Sequence, residues 1–112
     1  MVERKKLILI AGPCVVESKK IVFEIAEKVK TITEKYNIEY FFKASFDKAN
    51  RSSTTSFRGL GMKKGLEILK EVKEEFNLKI LTDVHETIHV DEVCEIVDVI
   101  QIPAFLCRQT DL

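Results

Sequence analysis

The chain has no tryptophan, four glycines, two prolines and no net charge, its 18 lysines and arginines being balanced by 18 aspartates and glutamates. Each shortage removes a class of protein. So little glycine and proline excludes a collagen-like repeat or a low-complexity linker. Balanced charge argues against broad capture of nucleic acid, which needs a basic face across a whole domain, so any anion held here is held by a local site. The three cysteines, at 14, 94 and 107, are odd in number and widely spaced; they give no disulfide framework and point to free thiols in a reducing compartment. Long apolar runs are missing as well. Leu7 to Ala11 is only five residues and Gly12-Pro13 ends it, short of the roughly 7–15 residues of a signal core. Nothing approaches the ~20 residues of a membrane span. A cytoplasmic protein without a membrane or nucleic-acid partner is expected.

What remains is the composition of a globular protein: 112 residues, 46% hydrophobic and 32% charged, the size of one domain covering 1–112. Short apolar runs alternate with helical periodicity. LILIA (7–11), IEYFFK (38–43), KILTDV (79–84) and DVIQIP (98–103) read as strands. Between them, Ile21, Val22, Ile25, Val29, Ile32 and Tyr36 recur at helical spacing behind an N-cap at Ser18, and Met62, Leu66, Leu69, Val72 and Phe76 form a second apolar stripe. Cys94 falls in a short third helix and reads as a small core residue. Strands separated by helices predict an α/β fold of right-handed, parallel (β/α) units. About four strands make either a small open sheet of flavodoxin-like design or half of a TIM (β/α)8 barrel, whose other half would have to come from elsewhere.

Such folds gather their chemistry at the carboxyl ends of the strands. The polar residues fall there: Gly12-Pro13-Cys14 after the first strand, Lys43 to Arg58 after the second, Asp83, His85 and Glu86 after the third, Gln101 to Arg108 after the fourth. The second of these segments is the most unusual. FFKASFDKANRSSTTSFRG carries Lys43, Lys48, Arg51 and Arg58 and six hydroxyl side chains against the single acid Asp47. Guanidinium forks, ammonium point charges and hydroxyls together suit phosphate. No glycine-rich nucleotide fingerprint accompanies them. HETIH (85–89) spells a zinc-protease signature, but His85 comes straight off a strand rather than lying on a helix with His89, so the motif lacks the context its chemistry needs; His89 reads as a surface residue. Cys14, in a tight turn, is suited to a soft metal ligand, a nucleophile or a small buried side chain.

IAGPCVVES, FFKASFDKANRSSTTSFRGLG, LTDVHE and VDVIQIPAFLCRQTDL together resemble, in order and spacing, the amino-terminal half of the 3-deoxy-D-manno-octulosonate 8-phosphate synthases. Asn50, Arg51 and Ser52 distinguish them from the related 3-deoxy-heptulosonate 7-phosphate synthases, whose loop reads closer to KPRTSP. The resemblance implies a (β/α)8 barrel that condenses phosphoenolpyruvate with D-arabinose 5-phosphate, releases phosphate and feeds lipopolysaccharide biosynthesis. It implies that Lys43 and Arg108 bind phosphoenolpyruvate, with Ser45 and Ala104 lining the same region. Lys48 then stands near the aldehyde and, with Asn50, carries the catalytic part, while Asn50, Arg51 and Ser52 take up the sugar phosphate. Asp83 and Gln101 are rim-facing candidates for hydroxyl or water contacts. Cysteine at position 14 matches the metal-dependent class, implying a divalent zinc, iron or manganese ion whose remaining ligands, a histidine, a glutamate and an aspartate, are absent from this chain. A homotetramer, or a complementary carboxyl-terminal half, is the implied partner, and the 112 residues are expected to be a fragment or split product that is incomplete as a catalyst. A non-catalytic phosphosugar-binding or assembly half-barrel and the heptulosonate synthase are the alternatives.

Overall fold

The computed structural model describes residues 3–47 and 59–112. Four strands, β1 (Ile8–Ala11), β2 (Glu39–Lys43), β3 (Lys79–Asp83) and β4 (Val99–Gln101), form one sheet in chain order, every neighbouring pair parallel. Helices α1 (Lys19–Lys35), α2 (Met62–Phe76) and the short α3 (Val90–Cys94) make the crossovers. Sequential order with no strand skipped is the winding of a (β/α) barrel, and a doubly wound sheet would instead reverse direction at a switch point. The expected half-barrel is therefore what the backbone adopts, and the flavodoxin-like alternative is not.

Helix boundaries follow local chemistry. Ser18 Oγ accepts the backbone N–H of Ile21 at 3.2 Å and caps α1. Asn37 and Asn77, immediately past the two long helices, adopt φ of 53° and 49°, the left-handed turn that ends a helix and that asparagine tolerates better than most residues. Lys30 Nζ donates to the carbonyl of Phe76 at 2.6 Å, tying α1 to the last turn of α2, where the partial negative charge of the helix end favours a cation.

Alternation along the strands sorts the side chains onto two faces. Tyr40, Phe42, Ile80 and Thr82 turn toward the helices and are buried there with Val22, Ala26, Leu66, Ile68, Leu69 and Val72. Full burial of each large apolar side chain contributes about 1.5–3 kcal/mol. The opposite face carries Ile8, Ile10, Phe41, Lys43, Leu81, Asp83, Val99 and Gln101, and on it Ile8 and Ile10 remain 55% and 51% exposed. In a closed barrel this face is the packed interior.

Two details of the sequence reading are corrected. In α1 the buried residues are Val22, Ala26 and Thr33, while Ile21, Ile32 and Tyr36 are exposed. The buried stripe lies one position further round the helix because α1 packs on both β2 and α2, with Phe23 meeting Phe76 edge to face at 5.4 Å. Cys94 is exposed rather than a core residue; α3 is a five-residue helix that turns Val93 inward, and the next position lies about a quarter-turn away.

Further polar ties cross between elements. Tyr40 Oη donates to the carbonyl of Ala11 at 3.0 Å, and burial pushes its phenol up to about 12. Thr82 Oγ1 donates to the carbonyl of Ala44 at 2.7 Å. Asp98 Oδ2 accepts the backbone N–H of Ile80 at 2.8 Å, and Lys73 Nζ bridges both oxygens of Asp98 and the carbonyl of Ile96. No described helix is long and apolar enough to cross a membrane.

Candidate active-site rim

All four strands run in the same direction, so their carboxyl ends share one rim, and the described parts of the polar segments singled out in the sequence begin there. The first two segments are sewn together. Past β1 and β2 the backbone continues pairing through Val15 and Ser45, with the Ser45 N–H donating to the Cys14 carbonyl at 3.2 Å and the Val16 N–H to the Ser45 carbonyl at 2.9 Å. Gly12 makes this approach feasible: a Cβ there would overlap the backbone carbonyl of Lys43. The Gly-Pro-Cys turn thereby places Cys14, exposed, beside the segment that follows Lys43.

Ser45 is 6% exposed, and its hydroxyl closes a local turn, donating to the carbonyl of Asp47 at 2.7 Å and accepting the Asp47 N–H at 3.2 Å. A short serine side chain that bonds its own backbone fixes the direction in which the chain leaves the strand. It thus fixes the course of the chain from the end of β2 as far as Asp47.

Lys43 lies on the open face of β2, opposite Leu81 in register; Asp83 stands one pleat further along β3 on the same face, directly opposite Gln101 of β4. A cation, an anion and an amide therefore line adjacent strand ends. Ala104 occupies a single 3-10 turn (Ala104–Leu106) after β4, and Arg108 follows it, exposed. Lys48, Asn50, Arg51, Ser52 and Arg58 lie outside the described residues.

Both histidines of HETIH are accounted for otherwise than by a protease centre. Asp83 Oδ2 lies 3.0 Å from His85 Nε2. The His85 and His89 rings meet Phe46 edge to face, at 5.7 and 6.2 Å between centroids, and His89 is half-buried rather than a surface residue. The motif straddles a strand end and a 3-10 turn (Thr87–His89), with Glu86 exposed. Among the described residues no group of three or more histidine, cysteine, aspartate or glutamate side chains is placed to hold a metal. Cys14 alone does not make a metal centre, since zinc and iron sites take three or four protein donors.

The Asp83–His85 pair is the feature that sequence reasoning left without a role. Its signal was present in the spacing: two residues apart in extended chain puts both side chains on one face.

Comparison with known proteins agrees with this geometry. The chain is 62% identical over 108 residues to "2-dehydro-3-deoxyphosphooctonate aldolase" of Campylobacter jejuni (strain RM1221), covering 96% of this chain and 40% of that protein. The proteins of the same name from Wolinella succinogenes and Fusobacterium nucleatum are 57% and 54% identical, over 95% and 97% of this chain and 40% and 39% of their own lengths. The chain thus spans about 40% of the length of the curated relatives it matches. The profile of the DAHP synthetase I family matches residues 3–112. With the parallel half-barrel and the Gly-Pro-Cys turn at its rim, the chain belongs to the DAHP synthetase I family.

Proposed function

We propose that the chain forms the amino-terminal half of a 3-deoxy-D-manno-octulosonate 8-phosphate synthase, an enzyme that condenses phosphoenolpyruvate with D-arabinose 5-phosphate and releases inorganic phosphate for lipopolysaccharide biosynthesis. The observation that carries the reading is the single rim at which Lys43, Asp83 and Gln101 end three neighbouring parallel strands and Arg108 follows the last of them. Two phosphorylated reactants repel one another, and positioned cations in a partly dehydrated mouth offset that repulsion while holding the reacting carbons close. Lys43 and Arg108 take the phosphate and carboxylate of phosphoenolpyruvate, with Ser45 and Ala104 shaping that subsite. Asn50, Arg51 and Ser52 take the sugar phosphate and hydroxyls. Lys48 faces the aldehyde oxygen that gains negative charge as the carbon–carbon bond forms. Asp83 and Gln101 hold hydroxyls or water.

Cys14 would supply one thiolate to a divalent metal, which when bound would polarise the aldehyde or a water. The exposed apolar face of the sheet is covered by the remaining strands of the barrel, and the working unit is an assembly, such as a homotetramer, in the cytoplasm.

Phosphate release by the assembled barrel tests the reading. Release that requires both phosphoenolpyruvate and D-arabinose 5-phosphate supports it. A heptulosonate synthase, favoured by the name of the matching family, would instead require erythrose 4-phosphate. Binding of either substrate without turnover would favour a non-catalytic half-barrel.

A further inference from the structure

We propose that His85 is a positioning residue of this rim, holding Asp83 by one carboxylate oxygen so that the other is kept as an acceptor for a hydroxyl or water of the bound reactants. The inference rests on the synthase reading above. Its starting point is the alternation at the end of β3. Val84 is buried on the helix side, 1% exposed, and its N–H donates to the carbonyl of Gln101 at 3.3 Å. Asp83 and His85, on either side of it, therefore turn the other way, toward the mouth.

There His85 Nε2 lies 3.0 Å from Asp83 Oδ2, both side chains 15% exposed. At that separation the clamp requires the imidazole proton to sit on Nε2, because a carboxylate oxygen can only accept it. The ring cannot swing freely, because Phe46, 2% exposed and at the head of the cationic loop, meets it edge to face at 5.7 Å.

The pair is left unfinished at both ends. Asp83 Oδ1 and His85 Nδ1 are buried and find no hydrogen-bond partner among the described residues. Such orphans are destabilising and rare, and each calls for a specific explanation. At the carboxyl end of a barrel strand, beside Gln101, the explanation with chemical content is a ligand donor: a sugar hydroxyl or an ordered water completes Oδ1. Without the imidazole the carboxylate is free to turn toward Lys43 on the neighbouring strand, neutralising a cation meant for substrate and losing its own orientation.

The test uses the assembled synthase carrying His85→Ala, His85→Gln, Asp83→Asn and the Asp83→Asn/His85→Ala double change. Glutamine places an N–H donor near the position of Nε2. For His85→Ala, kcat should fall about tenfold with the KM for phosphoenolpyruvate within about twofold, and His85→Gln should recover to within about threefold of the parent. The double variant should be no worse than Asp83→Asn alone, the non-additivity of residues acting through one another. Thermal denaturation of each variant separates loss of fold from loss of turnover. Unchanged kcat in His85→Ala, no recovery with glutamine, or multiplicative losses would each overturn the proposal. Nitrogen-15 spectra of the unsubstituted protein give an independent reading: His85 should carry its proton on Nε2, and a proton on Nδ1 alone contradicts the pairing. If the parent assembly releases no phosphate, the synthase reading fails and the turnover role of His85 with it, whereas the imidazole spectrum still decides whether the clamp exists.

Discussion

Gly12 has no room for a side chain because the backbone carbonyl of Lys43 occupies the place where a Cβ would project. One turn after β1 is thereby locked against the last residue of β2, the same residue whose ammonium group begins the cationic rim. The contact links backbone packing directly to the position of the ammonium group proposed to bind phosphoenolpyruvate.

Gly12→Ala should therefore act twice. Overpacking of this kind typically costs about 1–3 kcal/mol, to be read by chemical denaturation. Because the strands can separate only by moving Lys43, phosphoenolpyruvate affinity in the assembled synthase should fall as well. A variant with parental stability and affinity would contradict the close approach.

Tyr40 offers a pH test. Its hydroxyl is satisfied by the Ala11 carbonyl and its pKa is raised to about 12 in the folded chain, against about 10 unfolded. The folded state therefore keeps a proton that the unfolded state loses. This stabilisation is fully present below pH ~10 and disappears as pH climbs through ~12. Tyr40→Phe should cost about 1 kcal/mol at neutral pH, and between pH 10 and 12 its stability should decline less steeply than that of the parent. Equal slopes in denaturant titrations would refute the assignment.

Asp98 and Lys73 form a lock at the opposite end of β4 from the rim. Asp98→Ala removes the acceptor of a backbone N–H on a buried strand and should cost about 1–3 kcal/mol. Lys73→Ala removes only a partly exposed cation and should cost about 0.2–1 kcal/mol. Hydrogen exchange at the Ile80 amide should quicken markedly in the first variant and little in the second.

Ser45→Ala should leave the sheet intact but loosen the turn that aims the chain after β2. A loss of about 1 kcal/mol or less in stability, with a larger proportional loss of affinity for both phosphorylated substrates in the assembled synthase, is the expected split. Equal effects on stability and on both substrates would mean that Ser45 serves folding alone.

Much of this arrangement is legible in the sequence, for physical reasons. The asparagines after each long helix, Ser18 before the first and the strand-helix alternation are local signals, and the observed elements follow them. The exposure of Ile21, Ile32 and Cys94 was not legible, because periodicity identifies an apolar stripe but not which part of it a neighbouring helix covers. Gly12 could be read as a turn residue, yet its fit against Lys43 depends on the register between β1 and β2. Asp83 was readable as a rim residue, whereas its bond to His85 depends on a ring braced by Phe46, nearly forty residues earlier in the chain. Contacts of that range leave no local pattern.

Where a phosphorylated metabolite lands on the chain is the decisive question. In the assembled synthase, with only this chain isotope-labelled, titration with phosphoenolpyruvate should shift the amide signals of Lys43, Asp83, Gln101 and Arg108 together. Those of Ile8, Glu39 and Lys79, at the amino ends of the strands, should stay in place. Shifts confined to the latter group, or none at saturating ligand, would contradict the rim assignment.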